Sequence, residues 1–181
     1  MATGTSACPA APTQERGGMT REVYDLEGID FGIRKSMRYH SRRRAALERW
    51  DSWTNWIVAV AGASAFAAIV GEANTFAKIL TFFVAAISLA DVIFSFGARS
   101  RLHQDLYRRF AELAVEVSLV DSPIPHDIAR LRAKRLAIET DEPHVIDALE
   151  RLCWNEEAEA RGRIDVQQPL TRRQRLVARL S

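Results

Sequence analysis

The chain is poor in the residues that build covalent and catalytic frameworks. Of its 181 residues only two are cysteine, Cys8 and Cys153, far apart in sequence. They form neither a disulfide framework nor a metal-ligand spacing, so the chain suits a reducing compartment. The four histidines, His40, His103, His126 and His144, share no zinc-like spacing. There is no glycine-rich phosphate loop, and no serine or cysteine lies in a nucleophile motif. Neither an enzyme, a metal nor a cofactor is expected. The formal net charge of +2 supplies no field for a nucleic-acid partner. The opening "MATGTSACPAAPTQERGGMT" lacks an apolar core of signal-peptide length, and no lipid-attachment pattern leads up to Cys8. Residues 1–30 are expected to be a leader, disordered over residues 1–20, with Met19 as an alternative start.

Charge is missing from the middle. Between Trp53 and Phe96 the only formal charges are Glu72, Lys78 and Asp91, although charged residues make up 27% of the chain. A helix needs roughly 20 apolar residues to cross a bilayer. Residues 53–71 and 76–96 are near that length, and each is too apolar all round for a surface helix. The alternative is a pair of buried helices in a soluble bundle, but the rest of the chain offers little apolar material to wrap them. The short connection Glu72–Thr75 forces an antiparallel hairpin. Arg42, Arg43, Arg44, Arg99 and Arg101 cluster at its open end, and its turn carries no Lys or Arg. The positive-inside rule then places both termini in the cytoplasm. Trp50, Trp53 and Trp56 suit an aromatic belt at that interface, and Lys78 can snorkel to the other face.

Ala59, Ala63, Ala67 and Gly71 recur every four residues and leave one helix face nearly flat. Such a face suits close helix–helix packing in lipid, although alanine is simply common in this stretch. Counted from the turn, Asp91 falls level with Trp56, beside Asn55. Asn55, Asp91 and Ser95 are therefore candidates for a polar layer near the inner leaflet. A carboxylate inside a span is costly and normally faces protein or water. Asp91 either lines a polar path in an oligomer, reaches the headgroups, or pairs with Arg99 or Asn55.

The flanks read as helical. Tyr39, Ala46 and Trp50 suggest a helix from residue 31 into the first span. Leu102, Leu106, Phe110, Leu113, Val117 and Val120 form a stripe at three- and four-residue steps. No proline lies between Phe76 and Val120, so one long helix is expected there, with Gly97 as a possible bend. Residues 31–120 thus form a stalk and hairpin, with residues 121–181 a set of cytoplasmic helices. "DSPIPHD" ends the long helix, and another helix follows over residues 127–139. "TDEP" opens a further helix, with Pro143 in its first turn and Val145, Ile146, Leu149, Leu152 and Cys153 on its apolar face. His40 and His103 approach each other if the flanking helices pair. The tail "PLTRRQRLVARL" sets Leu176, Val177 and Leu180 against Arg172, Arg173, Arg175 and Arg179. It suits an anionic membrane surface or docking on the stalk.

The order of these parts resembles the SLATT family: "KSMRYHSRRRAALERW", a tight two-helix hairpin, "RSRLHQDLYRRFAELAVEV" and the basic tail, over Gly32 to Leu180. The resemblance implies a two-transmembrane effector of bacterial nucleotide-signalling and conflict systems, resident in the inner membrane. It would be a pore-forming or membrane-disrupting homo-oligomer in antiviral defence, triggered by a sensor protein or a nucleotide second messenger. The expected fold class is all-α, an integral membrane hairpin with long cytoplasmic helical extensions. The competing reading is a membrane-anchored scaffold whose cytoplasmic helices bind a partner protein.

Overall fold

A computed structural model describes residues 14–70, 75, 79, 82, 83, 85–87, 89 and 95–180. Among these the fold is all-α, with no strand. Helix α1 spans Gln14–Val70, α2 Phe96–Ser118, α3 Pro125–Glu139, α4 Asp147–Ala160 and α5 Arg172–Leu180. A single 3-10 turn covers Ile164–Val166.

α1 is 57 residues long, about 86 Å at 1.5 Å per residue. No proline interrupts it, and its inward face changes character along its length. Ile29, Ile33, Ser36, His40 and Leu47 are buried at three-, four- and seven-residue steps. α2 lies antiparallel against this face and buries Ser100, His103, Leu106, Phe110, Leu113 and Val117. The register follows that counted from the turn: Ser100 Oγ donates to Glu48, and Gly97 sits against the Asp51 carboxylate. α3 closes the lower end with Ile128, Leu131 and Ile138, completing a core with Ile29, Ile33, Leu106 and Phe110. A second, smaller core joins Tyr39, Ala148, Leu149, Cys153 and Ala178.

Charge patterning docks α4 on α1. Lys35, Arg38 and Arg42 lie along one α1 face, and they pair with Glu150, Glu157 and Glu156 on α4. The Arg42–Glu156 pair is exposed and contributes little, and Lys35–Glu150 is part-buried. Glu157 is different: it is 2% exposed, and it also accepts from Arg161, which reaches Asp30 on α1. After α4, Gly162 adopts φ +70°. Arg163 N–H then reaches back to Ala158 O at 2.8 Å, closing the helix end. Asn155 clamps the following segment by exchanging two hydrogen bonds with Gln168. α5 opens with a capping box: Thr171 Oγ1 accepts from Gln174 N–H, and Gln174 Oε1 accepts from Thr171 N–H.

Several expectations require correction. Helical structure begins at Gln14, and Ile29 is a core residue, so the folded part starts inside the segment 1–30 read as a leader. The long helix expected from the second apolar stretch is broken at Ser95, which caps α2 in the left-handed region at φ 48°, ψ 50°. A non-glycine residue there costs roughly 1–2 kcal/mol. α4 starts at Asp147, four residues beyond Pro143. The segment before it is held extended because Ile146 N–H donates to the Tyr39 hydroxyl at 3.1 Å. Leu102 is exposed although it falls on the apolar stripe of α2. On α2 the inward position next to Leu102 belongs to His103.

Candidate functional site at the root of the apolar helices

Two features meet where the packed helices give way to the apolar stretch. The first is a buried histidine pair between the two cores. His40 on α1 is 1% exposed and His103 on α2 is 4% exposed. Their Nδ1 atoms lie 2.9 Å apart. His40 Nε2 lies 3.0 Å from Glu142 Oε1, in the segment that Tyr39 pins. The Phe110 ring stacks on His40 at 5.6 Å with a 16° tilt, and Tyr39 meets both imidazoles edge-on.

Chemistry fixes the proton positions. A carboxylate accepts, so His40 Nε2 carries hydrogen. His40 Nδ1 then accepts from His103 Nδ1–H, giving a relay from His103 through His40 to Glu142. Burial drives the His103 pKa down to about 4, and His40 and Arg43 push it the same way. His103 is therefore neutral at physiological pH. Among the described residues no group of three His, Cys, Asp or Glu has metal-site geometry. The arrangement can hold α1, α2 and the 142–146 segment in register; it presents no nucleophile.

The second feature is the surface above it. Trp53 and Trp56 are 66% and 67% exposed, and Ile57, Val60, Ile79, Phe82, Phe83 and Leu89 also lie open. Beneath these residues, Arg44 pairs with Glu48 and Arg42 with Glu156. Arg43 faces the histidine layer and lowers the His103 pKa. Arg99 and Arg101 are exposed on the first turns of α2. On α5, Arg172, Arg173, Arg175 and Arg179 are exposed. Ala178 anchors that helix in the smaller core, while Leu176, Val177 and Leu180 remain exposed. The tail is thus packed mainly on α4, with Ala178 as its buried residue and its apolar edge exposed.

No family model, curated protein or solved structure matches the chain.

The expected polar layer is only partly within view. Asn55 is exposed, and its amide donates to Asp51 one turn back at 3.4 Å. Ser95 is exposed at the α2 cap, where its carbonyl accepts from Arg99 N–H. Asp91, the third member, lies outside the described residues. In the small-residue stripe Ala59 is exposed on α1, whereas Gly71 and the side chains of Ala63 and Ala67 lie outside the described residues. Among the described residues no helix is long and apolar enough to cross a membrane. Glu142, Tyr39 and Phe110 were not singled out as partners of the histidines. The helical register brings His40 and His103 together, but no spacing in the sequence reports a contact from an extended segment one hundred residues away.

Proposed function

We propose that the chain is a membrane effector: an apolar two-helix hairpin in the inner membrane, carried on a cytoplasmic head formed by α2–α5 and the first half of α1. The observation that carries this reading is the set of open apolar side chains Trp53, Trp56, Ile57 and Val60 on successive turns of α1, with Ile79, Phe82, Phe83 and Leu89 also open among the described residues; Arg42, Arg43, Arg44, Arg99 and Arg101 flank the stretch in sequence. Isolated exposed hydrophobics are ordinary, whereas several on successive turns of one helix support an interaction or membrane surface. The residues between Trp53 and Phe96 carry only three formal charges, which suits two spans joined by the turn Glu72–Thr75. Both termini would then face the cytoplasm.

Two helices enclose no water path, so conduction requires several copies around an axis. Ala59, Ala63, Ala67 and Gly71 supply a flat face for that association. In the open assembly Asp91, Asn55 and Ser95 line the polar level, and a ring of Asp91 carboxylates favours cations. The trigger is a separate sensor protein or a nucleotide second messenger acting on the head, which shifts a closed packing toward an open one.

The test is membrane potential, read with a voltage-sensitive dye in bacteria during titrated expression together with the triggering partner. Depolarisation ahead of growth arrest is expected, with Asp91→Asn changing ion selectivity. Stable potential throughout, with partner binding retained after deletion of residues 53–96, would replace the pore with the scaffold reading.

A further inference from the structure

α5 does not lie flush against α1. Between them is a groove of about 890 Å³, with Ala45, Ser52 and Ala178 in its lining and Trp53 and Trp56 at its membrane-facing end. Its size falls within the range of small-molecule sites. The charges around it are unequal in their commitments. Glu48 is held by Arg44 and Ser100, and Arg42 is held by Glu156. Arg49 and Arg179 also line the groove, one from each helix. Neither has a carboxylate partner among the described residues, whereas Lys35, Arg38 and Arg42 on α1 are each paired with a glutamate of α4.

Two uncommitted guanidinium groups and two open indoles lining one groove describe a site for an amphiphile with an anionic head. Guanidinium groups bind phosphate through paired, charge-assisted hydrogen bonds. Indole rings favour the boundary between headgroups and acyl chains. Beyond the groove, Ile57 and Val60 continue the apolar surface along α1, where the far part of an acyl chain can lie. We propose that the groove between α1 and α5 binds one anionic phospholipid, its phosphate on Arg49 and Arg179 and its acyl chains on Trp53 and Trp56. This rests on the membrane reading and adds a role for the tail: the lipid bridges α5 and α1, which meet only sparsely because α5 packs chiefly on α4.

The experiment uses the full chain in nonionic detergent. It is titrated with short-chain phosphatidylglycerol, short-chain phosphatidylcholine and inorganic phosphate, and bound ligand is counted by native mass spectrometry. One phosphatidylglycerol per chain is expected, with phosphatidylcholine and phosphate at least tenfold weaker. Arg49→Gln with Arg179→Gln should weaken it tenfold or more. Arg172→Gln with Arg173→Gln, an equal change of charge elsewhere on α5, should leave it within twofold. Both pairs are exposed, and circular dichroism checks that helicity is kept. Equal loss in the two double variants would reduce the effect to general surface attraction and overturn the site. Phosphate binding as tightly as the lipid would overturn the acyl contact. Binding in detergent does not require membrane insertion. A chain that binds phosphatidylglycerol in this way yet leaves membrane potential untouched would refute the effector reading and keep the groove.

Discussion

Acidification from pH 7 to 5 should destabilise the head through one residue, His103. The unfolded chain takes up a proton there near pH 6.5, whereas the folded chain does so only near pH 4, chiefly because the ring is buried. His40 and Arg43 on α1 add to the shift. Across that interval the unfolded state binds more protons, so stability falls as pH falls. The contribution is complete above pH 6.5 and is lost progressively down to about pH 4. Between pH 7 and 5 the loss is about 2 kcal/mol, a large share of the roughly 5–15 kcal/mol that holds a domain together. His103→Gln keeps a donor toward His40 Nδ1 and removes the titration. Urea unfolding of the full chain in nonionic detergent, followed by circular dichroism at a series of pH values, measures the difference. The wild-type midpoint should fall with acid more steeply than that of His103→Gln. Carboxylates that lose their arginine partners act equally in both chains and cancel. Parallel curves would show that folded His103 takes up its proton just as the unfolded chain does, and the relay would be wrong.

Other outcomes follow from the same geometry. Glu157→Ala should cost about 3 kcal/mol, the lower end for a broken buried ion pair because Arg38 is half-exposed; the same urea titration reads it. Gly28→Ala should raise stability by up to about 1 kcal/mol, since the helix gains a better former and an added methyl meets nothing. Gly32→Ala should lose that gain, because its methyl collides with the Arg135 guanidinium and pulls it from Glu139. Burial pushes the Cys153 thiol up to about 12, with Glu156 adding to the shift. Peptide mapping after maleimide treatment at neutral pH should therefore find Cys153 unlabelled until denaturant is added.

The helical class was legible because its signal is local. Leu106, Phe110, Leu113 and Val117 recur at helical spacing and are buried together, and Pro125 opens α3 as its fixed φ allows. Leu149 and Cys153 share the apolar face expected of them. What escaped was set by contacts distant in sequence. Hydrophobicity favours Leu102 as an inward residue, but a satisfied histidine pair occupies that layer, and polarity alone does not reveal a satisfied partner. Pro143 suggests a helix start, yet Tyr39 and His40 hold residues 142–146 extended. The left-handed turn at Ser95 has no glycine to announce it. For the candidate site, the basic and aromatic residues could be named from composition along the chain. The groove between α1 and α5 could not, because it depends on how far α5 stands off when Ala178 is its buried contact.

The unbroken course of α1 and the left-handed cap at Ser95 give the two packed helices different mechanics. α1 is one rod from the ion pairs of Asp30 to Val70, so a tilt or twist imposed where it packs against α4 is carried along its whole length. On the α2 side the helical ladder stops at Ser95, so no continuous helix carries the same motion past that residue. One helix thus acts as a lever through the packed region and beyond it, while the other transmits only as far as its own cap.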